Sequence, residues 1–247
     1  MVAIATFYRF VPLPDYREQA LALRATAAAL ALKGTLLLAP EGLNGTLAGT
    51  SADLEAFLRY LARDDRWADL PVKRSVAAVC PFATLKVKPK REIVTFGVPN
   101  LDLQQTATPV NPSDWNELLA NPAMTVLDTR NTYEVAVGTF VGATHLHLDC
   151  FRQFPERAAA LNPQNPVAMF CTGGIRCEKA GAYLRSQGFA EVYQLAGGIL
   201  RYLAEIPPAA SRWQGECFVF DHRATVDPNL APGSYTLGKG ILLPKSP

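Results

Sequence analysis

Residues 167–189 read VAMFCTGGIRCEKAGAYLRSQGF, and the order of residue types in that stretch is that of a strand, a tight loop and a helix. Pro166 to Phe170 is a short apolar run of the kind that forms a strand buried on both faces. Cys171 ends it. Gly173 and Gly174 follow, then Arg176, and a helix is expected from Arg176 to Gln187, stopped by Gly188. In an open α/β sheet, ligands bind beyond the carboxyl ends of the strands, which is where this order places Cys171. Two glycines let the backbone curl so that several N–H groups point inward as an anion nest. The helix start adds its positive end, and Arg176 adds a cation. All three favour thiolate over thiol. The segment thus reads as a reactive-cysteine loop: Cys171 as nucleophile or persulfide carrier, Arg176 as its cation, and Thr172, Gly173, Gly174 and Ile175 as the anion cradle. The bland alternative is a structural cysteine before an ordinary turn.

Working outward, the flanking sequence alternates strands with helices. A helix is expected from Ser113 to Ala120, a strand from Thr125 to Asp128, helical chain from Asp149 to Ala160, a strand from Val192 to Leu195 and a helix from Gly198 to Glu205. Such alternation implies a parallel sheet with helices on both faces. Asp128, Arg130, Glu134 and His145 are expected to orient loops at the strand ends. Cys177, on the first helical turn, could resolve a persulfide as a disulfide or serve packing.

The N-terminal part follows a different plan: a strand from Ile4 to Val11, a helix capped by Asp15, a strand from Thr35 to Ala39, a return strand from Thr46 to Ala48, a helix capped by Ser51 or Thr50, and a strand from Val72 to Val79. In the first helix Tyr16, Ala20, Leu23, Ala27 and Leu30 share a face. In the second, Leu54, Phe57, Leu58 and Leu61 do. Asn44-Gly45 is read as the hairpin turn. The order is that of the split βαβ, ferredoxin-like (acylphosphatase-like) α+β plan. The expected layout is a ferredoxin-like domain at 1–98, a parallel-sheet α/β domain at 105–207 and a short irregular C-terminal strap at 208–247, with the boundary in the polar passage Val98 to Pro112.

Composition bounds the function. The chain has 247 residues, 49% of them hydrophobic and 19% charged, as in a packed globular protein. The net charge of +2 implies no strongly basic surface, so any nucleic-acid contact must come from a local patch. Lys86, Lys88, Lys90 and Arg91 form a basic run, joined in sequence by Lys73 and Arg74, and alternate lysines on a strand share a face. That run is either an RNA contact or a solvated, aggregation-resistant strand edge. Five cysteines with no CxxC pair argue against a disulfide framework or a tetrahedral zinc site, and no metal ligand set is expected. The N-terminus does not read as a signal peptide, and the apolar stretch Ala20 to Leu32 is too short to span a bilayer. A cytoplasmic, reduced location is expected, with no membrane or DNA partner. Oligomeric state is left open.

Four residues separate Cys171 from Arg176. Cysteine phosphatases use a longer loop, wide enough for phosphate, and the tighter loop resembles that of the rhodaneses. VLDTRNTYEVAVGTFVGATHL at 126–146 resembles the rhodanese opening motif, and VYQLAGGI at 192–199 the closing strand and Gly-Gly turn. Together with LLLAPEGLNGTLAG at 36–49, PFATLKVKPKREIVTFG at 81–97 and CFVFDHRATVD at 217–227, these stretches resemble the rhodanese-domain tRNA uridine-34 hydroxylases. The resemblance implies conversion of the wobble uridine in the tRNA anticodon loop to 5-hydroxyuridine, with dioxygen as co-substrate and no other evident cofactor. It marks Cys171 as the catalytic, persulfide-carrying residue. Members of that group continue into a cysteine-rich C-terminal part, whereas no cysteine follows Cys217 here, so the resemblance is to a C-terminally short member. The alternatives left by the residues themselves are a thiosulfate or persulfide sulfurtransferase, and a non-catalytic rhodanese interaction module.

Overall fold

Two hydrophobic periodicities, one for each half of the chain, build two separate units in the computed structural model, which describes residues 1–238 and 241–244. The units span Met1–Thr95 and Phe96–Pro247.

The first unit runs β1 (Val2–Phe10), α1 (Tyr16–Ala29), β2 (Lys33–Ala39), β3 (Gly42–Gly49), α2 (Ser51–Leu61), β4 (Val72–Ala77) and β5 (Leu85–Pro89). The sheet order is β4-β1-β3-β2-β5. The first four strands pair antiparallel in the ferredoxin-like order, and β5 joins parallel to β2. Alternation decides the faces. Ala5, Phe7, Leu36, Leu38, Leu43, Leu47 and Val87 pack beneath Leu23 and Ala27 of α1 and Leu54, Phe57 and Leu61 of α2. The intervening residues face away from the helices.

Two local expectations are corrected. The β2–β3 turn lies at Pro40–Glu41, because Ala39 pairs with Gly42, and Asn44-Gly45 sits inside β3. Gly42 has φ +142°, and a Cβ there would meet the Arg9 carbonyl oxygen at 2.0 Å. Gly45 is required for packing: its Cβ would meet Leu36 Cδ2 at 2.3 Å. Asn44 uses its side-chain amide on the Ile93 carbonyl, 3.1 Å away. The second correction concerns Asp15. It precedes α1 without a side-chain cap bond, because its carboxylate is taken by Arg66 at 2.9 Å and Gln19 at 2.8 Å. Thr50 does cap α2, accepting from the Asp53 amide at 3.2 Å.

The second unit runs β6 (Thr108–Val110), α3 (Pro112–Ala120), β7 (Thr125–Asp128), α4 (Thr132–Val135), β8 (Gly138–Phe140), β9 (Thr144–His145), α5 (Phe154–Ala158), β10 (Val167–Phe170), α6 (Ile175–Ser186), β11 (Val192–Leu195) and α7 (Gly198–Glu205). Its sheet has the order β6-β11-β10-β7-β9, and every pairing is parallel. Every residue of the central strand β10 is buried, as its unbroken apolar run requires. The polar passage read as linker supplies the edge strand β6. The helix expected from Asp149 to Ala160 is shorter, since Pro155 sits at its start and a turn of 3₁₀-helix precedes it.

After Pro207 come short strands: β12 (Trp213–Gly215), β13 (Cys217–Phe218), β14 (Thr225–Val226), β15 (Tyr235–Gly238) and β16 (Ile241–Pro244). β12 pairs with β8, and Trp213, Cys217, Val219 and Val226 are buried in the second unit's core with Phe140 and Phe170. No helix among the described residues is long and apolar enough to cross a membrane.

Candidate active site

Cys171 follows the last residue of β10, at the carboxyl end of the parallel sheet. Gly174, at φ +101°, turns the chain into α6 through a left-handed conformation that glycine adopts freely. The turn aims the Gly174 amide at the cysteine sulfur, 3.1 Å away. The loop carbonyls point the other way. Those of Cys171 and Thr172 accept from the amides of Ile199 and Leu200, at 3.0 and 3.1 Å, at the start of α7. Gly198, at φ +69°, makes this approach possible, since a Cβ there would lie 2.5 Å from the Cys171 carbonyl oxygen. The Gly-Gly step after β11 is therefore part of the loop's support.

The cation is fixed from the opposite side. Glu134 on α4 binds Arg176 through both oxygens, at 2.6 and 2.8 Å, with its own side chain fully buried. Its Oε2 also accepts from the Asn131 amide at 3.1 Å, closing the first turn of α4. Burial opposes both charges. Each outweighs that cost for the other: the Glu134 carboxyl is held below its ordinary range and the Arg176 guanidinium above its own. A second buried pair fixes the strand end next door. Arg130 donates to Asp128 at 2.7 and 2.9 Å and to the Gly138 carbonyl at 2.5 Å, Thr139 donates to Asp128 at 2.9 Å, and the Arg130 guanidinium lies 5.2 Å from the Trp213 ring centroid. These residues hold β7 and β8 in register with the loop.

Cys171 itself is only 1% exposed. Burial pushes its thiol up, but the Cys177 thiol, the Arg176 guanidinium and the amides of Arg176 and Gly174 together outweigh burial and hold it well below the ordinary cysteine value. Cys177 moves the other way, raised by burial and by the neighbouring Cys171 sulfur. The sulfur thus faces the amides and the cation that the loop order implies. The rim is aromatic. Phe220 is exposed and lies over the Arg176 guanidinium at 5.8 Å, Phe218 meets Phe220 and Tyr133 at ring separations of 5.0 and 5.2 Å, and Thr172 donates to the Phe218 carbonyl at 3.5 Å. This rim was not legible beforehand, because no local pattern ties residues near 218 to a loop at 171.

Thr172, Gly173 and Gly174 form the loop as expected, while Ile175 is already the first residue of α6. The basic residues of the first unit do not form one patch. β4 and β5 are opposite edges of its sheet. Register nevertheless puts Lys73, Thr6, Thr46, Thr35 and Lys86 in one row across all five strands. The row lies on the face away from the helices, with Lys88 beside it. Lys86 and Lys88 are exposed and the intervening Val87 is buried. Lys73 lies 5.8 Å from the Tyr8 ring centroid. Arg74 faces the helices and forms an ion pair with Glu55 of α2, so it leaves the row. Lys90 and Arg91 follow β5 and are exposed.

A parallel sheet, a buried cysteine in a four-residue loop ahead of a clamped arginine, and a glycine turn supporting that loop define an enzyme with a rhodanese-type active site. Residues 2–93 match the family model described as the UPF0176 acylphosphatase-like domain, and residues 111–205 match the rhodanese-like domain. The chain is 53% identical over 238 residues to a tRNA uridine(34) hydroxylase of Picosynechococcus sp., covering 95% of this chain and 80% of that one. It is 49% identical to the protein of that name from Albidiferax ferrireducens, over 97% of this chain and 78% of that one. With the Sinorhizobium fredii protein it shares 47% identity over 99% of this chain and 79% of that one. The chain belongs to the tRNA uridine(34) hydroxylase family.

Proposed function

We propose that this protein converts uridine 34 of tRNA to 5-hydroxyuridine, with Cys171 as nucleophile and persulfide carrier and dioxygen as co-substrate. The observation that carries the reading is the sulfur of Cys171 receiving the Gly174 amide at 3.1 Å beside an arginine that Glu134 clamps. C5 of uracil is a weak nucleophile until a group adds at C6. Addition of the Cys171 sulfur there gives C5 enolate character, and C5 then bonds to one oxygen atom of dioxygen, while the other leaves as water with two electrons and two protons from an external dithiol. Loss of the C5 proton and departure of the sulfur from C6 restore the ring. The negative charge that develops on the base is stabilised by Arg176 and the loop amides, which are already oriented.

The target base has to leave its stack, which costs least in a single-stranded loop such as the anticodon loop. Exposed Phe220, backed by Arg176, offers such a base an aromatic face. For the rest of the tRNA, the Lys73–Lys86 row and Lys88 suit phosphates and ribose hydroxyls. A tRNA substrate implies work in the cytoplasm.

Mass spectrometry of tRNA nucleosides from a deletion strain tests this reading. Wild-type protein should restore 5-hydroxyuridine and Cys171→Ser should not. Normal 5-hydroxyuridine with Cys171→Ser would overturn it.

A further inference from the structure

Cys177 takes no part in the proposed hydroxylation beyond its effect on the Cys171 thiol. It is the third residue of α6, fully buried, and its amide bonds the Gly174 carbonyl at 3.0 Å, so it rises from the turn that carries the Cys171 loop. The two sulfurs act on each other's ionisation, the Cys171 thiol being lowered and the Cys177 thiol raised. Thr129 Oγ1 lies 3.7 Å from Cys177 Sγ, and Thr129 is itself anchored on the Phe170 carbonyl at 3.0 Å. The two cysteines thus share one turn: the Gly174 amide is bound to the Cys171 sulfur, the Gly174 carbonyl to the Cys177 amide, and Thr129 ties the Cys177 sulfur to the end of β10. A packing cysteine needs none of this polar arrangement. The remaining cysteines are differently placed: Cys217 gives its thiol to the Phe218 carbonyl at 3.6 Å, Cys150 is exposed, and Cys80 turns to the Phe82 carbonyl at 3.4 Å.

We propose that Cys171 and Cys177 form a persulfide-discharging pair, in which Cys177 expels the outer sulfur of a Cys171 persulfide as hydrosulfide and leaves an intramolecular disulfide. The proposal rests on Cys171 carrying a persulfide and goes beyond the hydroxylation. The step balances without an added oxidant. The Cys177 sulfur attacks the inner sulfur of Cys171–S–S⁻, a bond forms between the two cysteine sulfurs, and the bond to the outer sulfur breaks. The outer sulfur takes the electron pair of that bond and the Cys177 proton, and departs as HS⁻. The outer sulfur is reduced and the two cysteines are oxidised to the disulfide, which an external dithiol then reduces. Attack of a cysteine sulfur on a sulfur–sulfur bond is ordinary exchange chemistry. A stored sulfur that meets no acceptor is thereby released, and Cys171 is kept from the irreversible steps of the oxidation ladder.

The test loads the full chain with inorganic polysulfide, desalts it and follows sulfide release with no acceptor present. Wild type should release about one equivalent of hydrosulfide at a rate independent of protein concentration, and Cys177→Ser should release it at least about tenfold more slowly. Digestion of the discharged wild type without reductant should give a peptide pair joined through Cys171 and Cys177, which requires no variant to fold. If wild type loads and keeps its persulfide as long as Cys177→Ser does, with no joined peptides, the pair proposal is overturned and the carrier role of Cys171 stands. If neither protein acquires a persulfide at Cys171, the carrier role falls as well.

Discussion

The Cys171 loop and the outer face of the N-terminal sheet both present cations, and they hold them in opposite ways. At the loop, Arg176 is buried, bound by two oxygens of a buried carboxylate, and set beside a sulfur with amides already aimed at it. On the sheet, Lys86 and Lys88 are exposed on a strand edge, spaced by register alone. A buried charge acts at nearly full strength and must be paired at every step, so removing one partner damages the whole constellation. Exposed charges are screened and act additively. In the proposed reading, chemistry belongs to the first arrangement and substrate grip to the second. Substitutions in the two regions should therefore differ in size and in kind.

The largest effect is expected at Glu134. Replacing it by Gln leaves Arg176 buried and without its counter-charge, which should cost on the order of 3–5 kcal/mol of stability. Urea unfolding checks this, and little loss would show that the guanidinium swings to water. Gly198→Ala comes next. Its Cβ would press on the Cys171 carbonyl oxygen from a left-handed backbone, at a cost of about 1–3 kcal/mol. Cys171 persulfide loading should fall more than the melting temperature does, because the strain bears on the loop itself. A smaller effect is expected from Lys73→Ala and Lys86→Ala. Each should weaken tRNA binding and lower the salt slope by about one, leaving persulfide loading unchanged. The smallest belongs to Arg74→Ala. Its side chain pairs with Glu55 on the helix side, so tRNA binding should stay within about twofold of wild type. An Arg74 effect as large as that of Lys73 would break the row assignment.

The sequence makes the logic of the Cys171 loop more visible than that of the sheet face. The Cys171 loop is legible because strand, glycines, arginine and helix are contiguous, and local backbone rules act over such distances. The strands β7, β10 and β11 and the buried faces of α1 and α2 are legible for the same reason. What holds the loop is remote. Glu134 reaches Arg176 from a separate turn of helix, Gly198 supports the loop from beyond β11, and Phe220 arrives from the tail. The Asn44-Gly45 step misled because its turn propensity is local, whereas Leu36 and Phe7 require a residue without a side chain at 45. Lys73 and Arg74 looked alike as neighbours in the chain. Only strand register separates them, one to the open face and one to α2. The pairing of β12 with β8, which carries Trp213 to Arg130, has no local signature.

The central claim is that the thiol of Cys171 is markedly more acidic than an ordinary cysteine although it is buried. Because its folded pKa is lowered, the stabilising contribution of the anion is fully present above the unfolded cysteine's pKa and is lost as pH falls through the folded value. Ultraviolet thiolate absorbance of wild type minus Cys171→Ser, titrated downward from alkaline pH, measures that value directly. The account predicts a midpoint well below the ordinary cysteine value of about 8.5, whereas a midpoint at or above it would contradict the account.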